Sequence, residues 1–256
     1  MEGRAVVWDD PSVPWESFDA IVLRSCWDYH LRIDEFTAWL ARLEAIGARV
    51  VNPAAMVRWN LDKRYLRGLA VPTVSTVWLE PHERVELALL LRSRGWRRAV
   101  VKPAISASAF GTFVTTGDDQ ARVDELLAHS PLLVQPFIDE VVTHGEWSLI
   151  YFNGVLSHTV VKRPRQGDFR VQSELGATTT LTPAPPELRV QADAALGAAP
   201  DRPTYARVDG VMIDGVFTLM ELELIEPVLF LGMHDGSAAR FAKALLEGDR
   251  GPKGEE

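Results

Sequence analysis

Cysteine is almost missing from these 256 residues: Cys26 stands alone. A lone cysteine excludes an internal disulfide and removes the paired-cysteine spacings of zinc sites, and its place at an apolar-to-polar transition suits a structural role better than a nucleophile. Also missing is any apolar run near the roughly 20 residues that a membrane span requires. Positive charge is in deficit, with 27 Lys and Arg against 35 Asp and Glu and a net charge of −8. Nucleic acid demands a basic face, so any polyanion bound here is expected to be small and locally held. The start, Met1 to Asp10, has neither the apolar stretch of a signal peptide nor the acid-poor, Arg-rich bias of a transit peptide, so a cytoplasmic location is expected. No internal repeat is visible. What remains is ordinary globular composition, 47% hydrophobic and 24% charged, in a chain long enough for one large domain or two smaller ones with a cleft between them.

The hydrophobic pattern predicts an α/β start. Residues 5–8 and 20–24 read as strands, 33–46 as an amphipathic helix and 48–51 as a further strand before Asn52-Pro53, which implies a parallel α/β unit. The first strand runs directly into Asp9-Asp10-Pro11 without a crossover helix, so this unit is expected to be abbreviated at its start. Its sheet is expected to leave an edge unprotected or to be covered by a second copy in a homodimer. A helix with polar start signals at Asn60 and Asp62 is expected to run to about Ala70. Then come a strand at 73–79, a helix at 81–94, a strand ending at Lys102, a small-residue loop, a strand at 112–115, a helix at 119–129 and a strand at 132–137, together a compact α+β unit. Beyond it lie several strands with hairpin signals at Asn153-Gly154 and Asp214-Gly215, a helix at 186–198, a last helix at 237–246 and a disordered tail at 248–256.

The strongest local signal is YARVDGVMIDGVFTLMELELIEP. Side chains alternate faces along a strand, so Arg207 and Asp209 share one face, and Glu221 and Glu223 share a face opposite Met220, Leu222 and Leu224. From the second strand alone, a solvated face with a charge ladder is as good a reading. The neighbouring strand shifts the balance, because it adds an acid and a cation to the same group, and clustered carboxylates are relieved by a hard divalent cation such as Mg2+. Isolated cations form a second signal: Lys102 before Pro103, Lys162 and Arg163 ending an apolar strand, and Arg170 after Gly167-Asp168-Phe169. A cation ending a buried strand is placed to reach a phosphate, although each one singly is better explained as a snorkelling or ion-paired side chain. The third signal, Ser106 to Thr112, is small-residued, as a loop must be if its backbone N–H groups are to approach phosphates; it lacks the Walker pattern and would by itself pass for a plain turn.

Taken in order, these segments resemble the ATP-grasp superfamily over roughly residues 5–235. VVKPAISASAFGTF is similar to its phosphate-contacting lysine and glycine-rich flap, VQPFI to its adenine-reading hinge strand and GEWS to the segment holding its ribose-binding acid. KRPRQGDFR resembles the glutathione synthetase and RimK-like branch, and ARVDG with MELELIEP its transition-state arginine and metal-binding acids. RSCWDYH, NLDKRYL and KRPRQGDFRVQ bring the likeness closer to the O-ureido-serine cyclo-ligases, with the difference that Glu223 stands where many relatives carry asparagine, which adds negative charge at the metals.

The resemblance implies an α/β (α+β) ATP-grasp fold: an abbreviated pre-ATP-grasp domain over residues 1–57, then two α+β subdomains clasping ATP over 58–138 and 139–247. It implies Mg2+ (one or two ions) held by Asp209, Glu221 and Glu223. ATP phosphates fall to Lys63, Lys102 and a flap containing Ser106, Ser108 and Gly111, adenine to Gln135, Pro136, Phe137 and Ile138, and ribose to Glu146. Arg207, Lys162 and Arg170 become the catalytic residues; Arg24, Arg163 and Arg170 hold substrate. The implied reaction is carbon–nitrogen ligation through an acyl phosphate of a small amino-acid-like carboxylate, ring-closing or intermolecular, with a catalytically silent ATP-binding module as the alternative of another class. Small-molecule substrates are implied, and neither nucleic acid nor membrane.

Strand parity adds a requirement of its own. A regular two-residue turn at Asp214-Gly215 would set Asp209 opposite Met220 and send Asp209 and Glu221 to opposite faces. A three-residue loop at 213–215, or an equivalent one-residue bulge, is therefore expected. The three-residue loop would place Arg207 opposite Glu221.

Overall fold

A computed structural model describes residues 2–172 and 175–247; the expected tail at 248–256 lies outside the described residues. Strands β1 (Ile21–Val22) and β2 (Val50–Val51) pair in parallel, and α1 (Ile33–Ala45) connects them. Helix α1 forms where expected because Phe36, Leu40 and Leu43 recur at helical spacing and are fully buried. Burying each such side chain contributes about 1.5–3 kcal/mol. The strand expected at residues 5–8 does not form, since no neighbouring strand offers it a partner. Trp8 instead packs edge-on against Phe36, with 5.3 Å between ring centroids, and Arg32 lies over its indole at 4.6 Å.

Helix α2 (Ala54–Leu61) starts after Pro53, earlier than the expected Asn60, and a 3-10 segment (Lys63–Gly68) follows it. The polar residues read as start signals have other partners. Asp62 caps the 3-10 segment by accepting from the Arg64 N–H at 2.9 Å. Asn60 is buried and clamps the backbone of Leu222 and Leu224, at 2.7 and 2.9 Å.

Strands β3 (Val77–Leu79), β4 (Ala99–Pro103), β5 (Phe113–Thr115) and β6 (Leu132–Pro136) form an antiparallel sheet in the order β3-β6-β4-β5. Helices α3 (Leu87–Arg94) and α4 (Gln120–Leu127) cover it with Leu87, Leu91, Val123 and Leu127. Helix α3 starts later than expected, because Glu83 turns back to accept from the Glu80 N–H at 2.9 Å and holds the preceding residues in a turn.

After α5 (Asp139–Thr143), a short helix the hydrophobic pattern did not reveal, comes the larger sheet. It comprises β7 (Glu146–Phe152), β8 (Val155–Arg163), β9 (Thr178–Leu181), β10 (Tyr205–Ile213) and β11 (Val216–Glu223), antiparallel in the order β11-β10-β7-β8-β9. Helix α6 (Pro186–Gly197) packs on one face against Leu149, Tyr151, Val208 and Phe217. Helix α7 (Ser237–Glu247) closes the described chain.

The β10–β11 hairpin resolves the parity requirement by a bulge. Ile213 faces Val216, so the turn has two residues and the three-residue loop is not formed. The register then shifts between Asp209 and Gly210: Gly210 faces Leu219 while Asp209 faces Glu221, leaving Met220 as the extra residue. Arg207 consequently faces Glu223 rather than Glu221. Met220 lines the same cavity as the acids, contrary to simple alternation, because a bulge puts two successive side chains on one side. The position opposite the bulge requires glycine: a Cβ on Gly210 would sit 2.4 Å from a Phe217 ring carbon and 2.7 Å from the Thr218 carbonyl oxygen.

Candidate active site

One cavity lies between the two sheets, roofed by the N-terminal unit. The larger sheet supplies its charged floor in cross-strand rows. Glu221, Asp209 and Ser148 stand side by side on β11, β10 and β7; Glu223 faces Arg207; and Glu146 faces Lys162 across β7 and β8. The charges are tied to one another. Arg207 donates to Asp209 at 2.8 Å and to Glu223, and also to the Val228 carbonyl at 3.2 Å. Lys162 reaches Glu146 at 2.6 Å and Asp209 at 3.4 Å, and the Ser148 hydroxyl donates to Asp209 at 2.5 Å. Lys63 spans the cavity, donating to the Ser106 carbonyl at 2.7 Å and pairing with Glu221 at 3.1 Å.

Ionisation follows from this wiring. Burial alone would raise the Asp209 pKa, but Arg207, Lys162 and Ser148 hold it down to about 2. Glu223 goes the other way, to about 8: burial and the neighbouring Asp209, Glu221 and Glu226 outweigh Arg207. Burial raises Glu146. For Lys162 burial works downward, but Asp209 and Glu146 carry the pKa up. Lys102, on the other sheet, is lowered by its burial, with Glu221 and Glu146 only partly offsetting, and it makes no ion pair among the described residues.

The smaller sheet and its loops form the opposite wall. Pro136, Phe137 and Ile138 leave β6 along the cavity, and the Gln135 side chain donates to the Thr76 hydroxyl at 2.9 Å. In the flap, Ser108, Ala109 and Gly111 all have positive φ (50°, 56° and 68°), and a Cβ on Gly111 would meet Pro103 at 2.9 Å. Ser106 and Ser108 line the cavity, whereas Gly111 only shapes the turn. Phe110 extends from the flap onto His30 of the N-terminal unit, with ring centroids 4.9 Å apart.

Lys63, Lys102, Lys162, Arg170 and Arg207 therefore converge with Glu146, Asp209, Glu221 and Glu223, as expected. Two proposed substrate residues do not join them. Arg163 is exposed, since alternation after Lys162 turns it away. Arg24 is half-buried outside the cavity against the Tyr205 and Phe241 rings, at 5.8 and 5.9 Å. The site also takes in Trp27, Tyr29, Phe169 and Glu226, which line the cavity, and Ser148, which bonds Asp209. The sequence pattern does not mark these as functional, although each lies within one of the motifs RSCWDYH, GEWS, KRPRQGDFR and MELELIEP, and Ser148 shares parity with Glu146.

Among the described residues no three His, Cys, Asp or Glu side chains are grouped so as to cage a metal by themselves. The donor set nonetheless fits Mg2+ together with phosphate oxygens: Asp209 and Glu221 are direct cross-strand neighbours and Glu223 lies on the same face, all carboxylates on a rigid sheet.

The fold matches solved ATP-grasp ligases. PsnB, an ATP-grasp ligase solved with its minimal precursor, Mg and ADP, superposes with a TM-score of 0.60 at 15% identity over 90% of this chain and 77% of that one. D-alanine–D-alanine ligase from Bacillus anthracis in complex with ATP gives 0.62 at 20% identity over 80% and 70%. Fold and cavity together define an ATP-grasp ligase, an ATP-dependent enzyme. The cycloserine biosynthesis protein DcsG of Streptomyces lavendulae is 35% identical over 94% of this chain and 86% of its own length. The crystal structure of D-cycloserine synthetase DcsG superposes with a TM-score of 0.84 at 33% identity, covering 94% and 87%, and residues 1–52 match the family "D-cycloserine synthetase DcsG, N-terminal domain". The chain belongs to the DcsG family of ATP-grasp ligases.

Proposed function

We propose that this enzyme uses Mg-ATP to convert a small amino-acid-like carboxylate to an acyl phosphate and then closes a carbon–nitrogen bond within the same molecule, as an O-ureido-serine cyclo-ligase does. The observation that carries this reading is the cavity itself, in which an unpaired Lys102 and a tightly turned flap face a sheet bearing Arg207, Asp209, Glu221 and Glu223. Lys63 and Lys102, with Ser106 and Ser108, hold phosphate oxygens; residues 135–138 hold adenine, and Glu146 the ribose once nucleotide draws it from Lys162. Asp209, Glu221 and Glu223 would hold one or two Mg2+, which offset phosphate charge during transfer. The substrate carboxylate attacks the γ-phosphorus and ADP leaves; the oxyamine nitrogen of the same molecule then attacks the acyl carbon, giving up its proton as phosphate leaves. The carbamoyl group that an O-ureido-serine carries on that nitrogen is removed by one water as CO2 and NH3. Arg207 and Lys162 stabilise the charge that develops, Arg170 orients the substrate, and the flap excludes water from the acyl phosphate. The working units are residues 1–57, 58–138 and 139–247.

A coupled ADP assay with O-ureido-D-serine, read beside mass spectrometry of the product, tests the reading. ADP release with formation of D-cycloserine is expected. ADP release only when a second amine is present, with a condensed product, would replace ring closure by intermolecular ligation. Absence of Mg-ATP binding in a calorimeter would remove the enzyme reading altogether.

A further inference from the structure

Five carboxylates line the cavity, and four of them have a cation as partner: Glu146 with Lys162, Asp209 with Arg207 and Lys162, Glu221 with Lys63, and Glu223 with Arg207. Glu226 is the exception. It is only 7% exposed, yet among the described residues it makes no ion pair. Arg207 and Arg24 act on it only through space, and the Trp27 side chain beside it favours its ionised form. A buried carboxylate without a cation is costly and in a native protein calls for an explanation.

The surroundings indicate what this carboxylate suits. Glu226 is held rigidly, because buried side chains fix the two residues before it. Asn60 accepts from the Leu224 N–H at 2.9 Å, Asn52 donates to the Leu224 carbonyl at 2.7 Å, and the Tyr205 hydroxyl donates to the Ile225 carbonyl at 2.7 Å. Pro227 follows and fixes its own φ. Trp27, Tyr29 and Phe230 line the same cavity. Aromatic faces beside a fixed carboxylate favour a cation. Arg207, the nearest cation lining the cavity by its influence on Glu226, is already committed to Asp209, Glu223 and the Val228 carbonyl. Arg24 is held against Tyr205 and Phe241, with one guanidinium nitrogen lacking any partner.

We propose that Glu226, with Trp27 and Tyr29 beside it, is the subsite that receives the ammonium group of the amino-acid-like substrate and so determines specificity for it. This rests on the ligase reading above and names the residue by which that substrate is recognised. Burial holds the Glu226 carboxyl up to about 7, and an ammonium beside it would favour its ionised form.

The test is calorimetric titration of the protein, loaded with Mg2+ and a non-hydrolysable ATP analogue, with O-ureido-D-serine and with its desamino analogue. A panel of small α-amino acids and their desamino counterparts is titrated alongside. Wild type is expected to prefer the amine by about tenfold or more, the size of a charge-assisted hydrogen bond. Glu226→Gln, which keeps shape and removes charge, is expected to abolish that preference while nucleotide affinity stays as in wild type. Equal preference in wild type and E226Q, or no preference for any amine in wild type, would overturn the proposal. Preference for some other amino acid, with O-ureido-D-serine ignored, would support the Glu226 subsite and instead remove the ring-closing reading. A variant that misfolds would be recognised by lost nucleotide binding, and the wild-type comparison of amine with desamino ligand then decides alone.

Discussion

The two sheets that face each other across the cavity treat charge in opposite ways. The larger sheet places Arg207, Asp209, Glu223, Glu146 and Lys162 on strands that are otherwise apolar, and it compensates nearly every charge internally before any ligand arrives. The smaller sheet contributes a single lysine, Lys102, that makes no ion pair among the described residues. A group already paired must exchange partners to bind phosphate or metal, and an unpaired one need not. The larger sheet thus holds its own groups in position, whereas the smaller sheet presents to the cavity a lysine that, among the described residues, has no partner to give up.

The sharpest way to break this contrast is Arg207→Ala. It would leave Asp209 and Glu223 without their common cation, and kcat is expected to fall about 100- to 1,000-fold, well beyond any loss of ATP affinity. Equal losses in kcat and in nucleotide binding, measured by steady-state kinetics beside calorimetry, would assign Arg207 to binding alone.

Next in size is Gly210→Ala, which forces a methyl group into the Phe217 ring and the Thr218 carbonyl opposite the bulge. A loss of about 3 kcal/mol is expected from such overpacking, read as a lower denaturation midpoint, together with weakened activity as Asp209 and Glu221 fall out of register. Unchanged stability would mean the bulge is dispensable to the charged floor.

The third test uses pH. Glu226 is raised in the folded protein from 4.5 to about 7, so the folded state holds its proton more tightly than the unfolded chain. The resulting stability is fully present below the unfolded value and is lost as pH rises through about 7, an effect of at most about 3 kcal/mol. Glu226→Gln lacks this term, so its stability relative to wild type is expected to improve between pH 5 and pH 8; parallel stability–pH curves would contradict the description of Glu226 as unpaired.

Lys102→Gln comes fourth. ATP binding is expected to weaken about tenfold, or about 1.4 kcal/mol, with no loss of thermal stability, because no buried acid loses its partner. A marked drop in melting temperature would erase the contrast between the sheets. Last is Arg163→Ala, expected to change stability by less than about 0.5 kcal/mol and to leave activity intact, since its side chain is exposed and turned from the cavity. A large effect on KM would return it to the substrate site.

Much of the floor was legible in the sequence because strand alternation is local: Arg207 and Asp209, or Glu221 and Glu223, must share a face whatever surrounds them. Their mutual arrangement across strands was not. The need for an odd residue somewhere in the hairpin followed from parity, yet its location at Met220 depends on long-range anchors. The Tyr65 hydroxyl bonds both the N–H and the carbonyl of Leu222, at 2.7 and 2.9 Å, and Asn60 bonds Leu222 and Leu224, fixing the position of β11 from a separate part of the chain.

By itself, the sequence determined which residue types could meet phosphate and metal, the α/β character of the chain, and the amphipathic helix from Ile33, all consequences of patterns a few residues long. Only the tertiary structure decided that Arg24 turns to Tyr205 and Phe241, that Arg163 faces solvent while Lys162 does not, that residues 5–8 remain unpaired, and that Glu226 is buried in the cavity without a cation. Those outcomes depend on which distant elements supply a neighbour or exclude water, and hydrogen bonds and ion pairs between segments far apart along the chain are settled by packing rather than by local pattern.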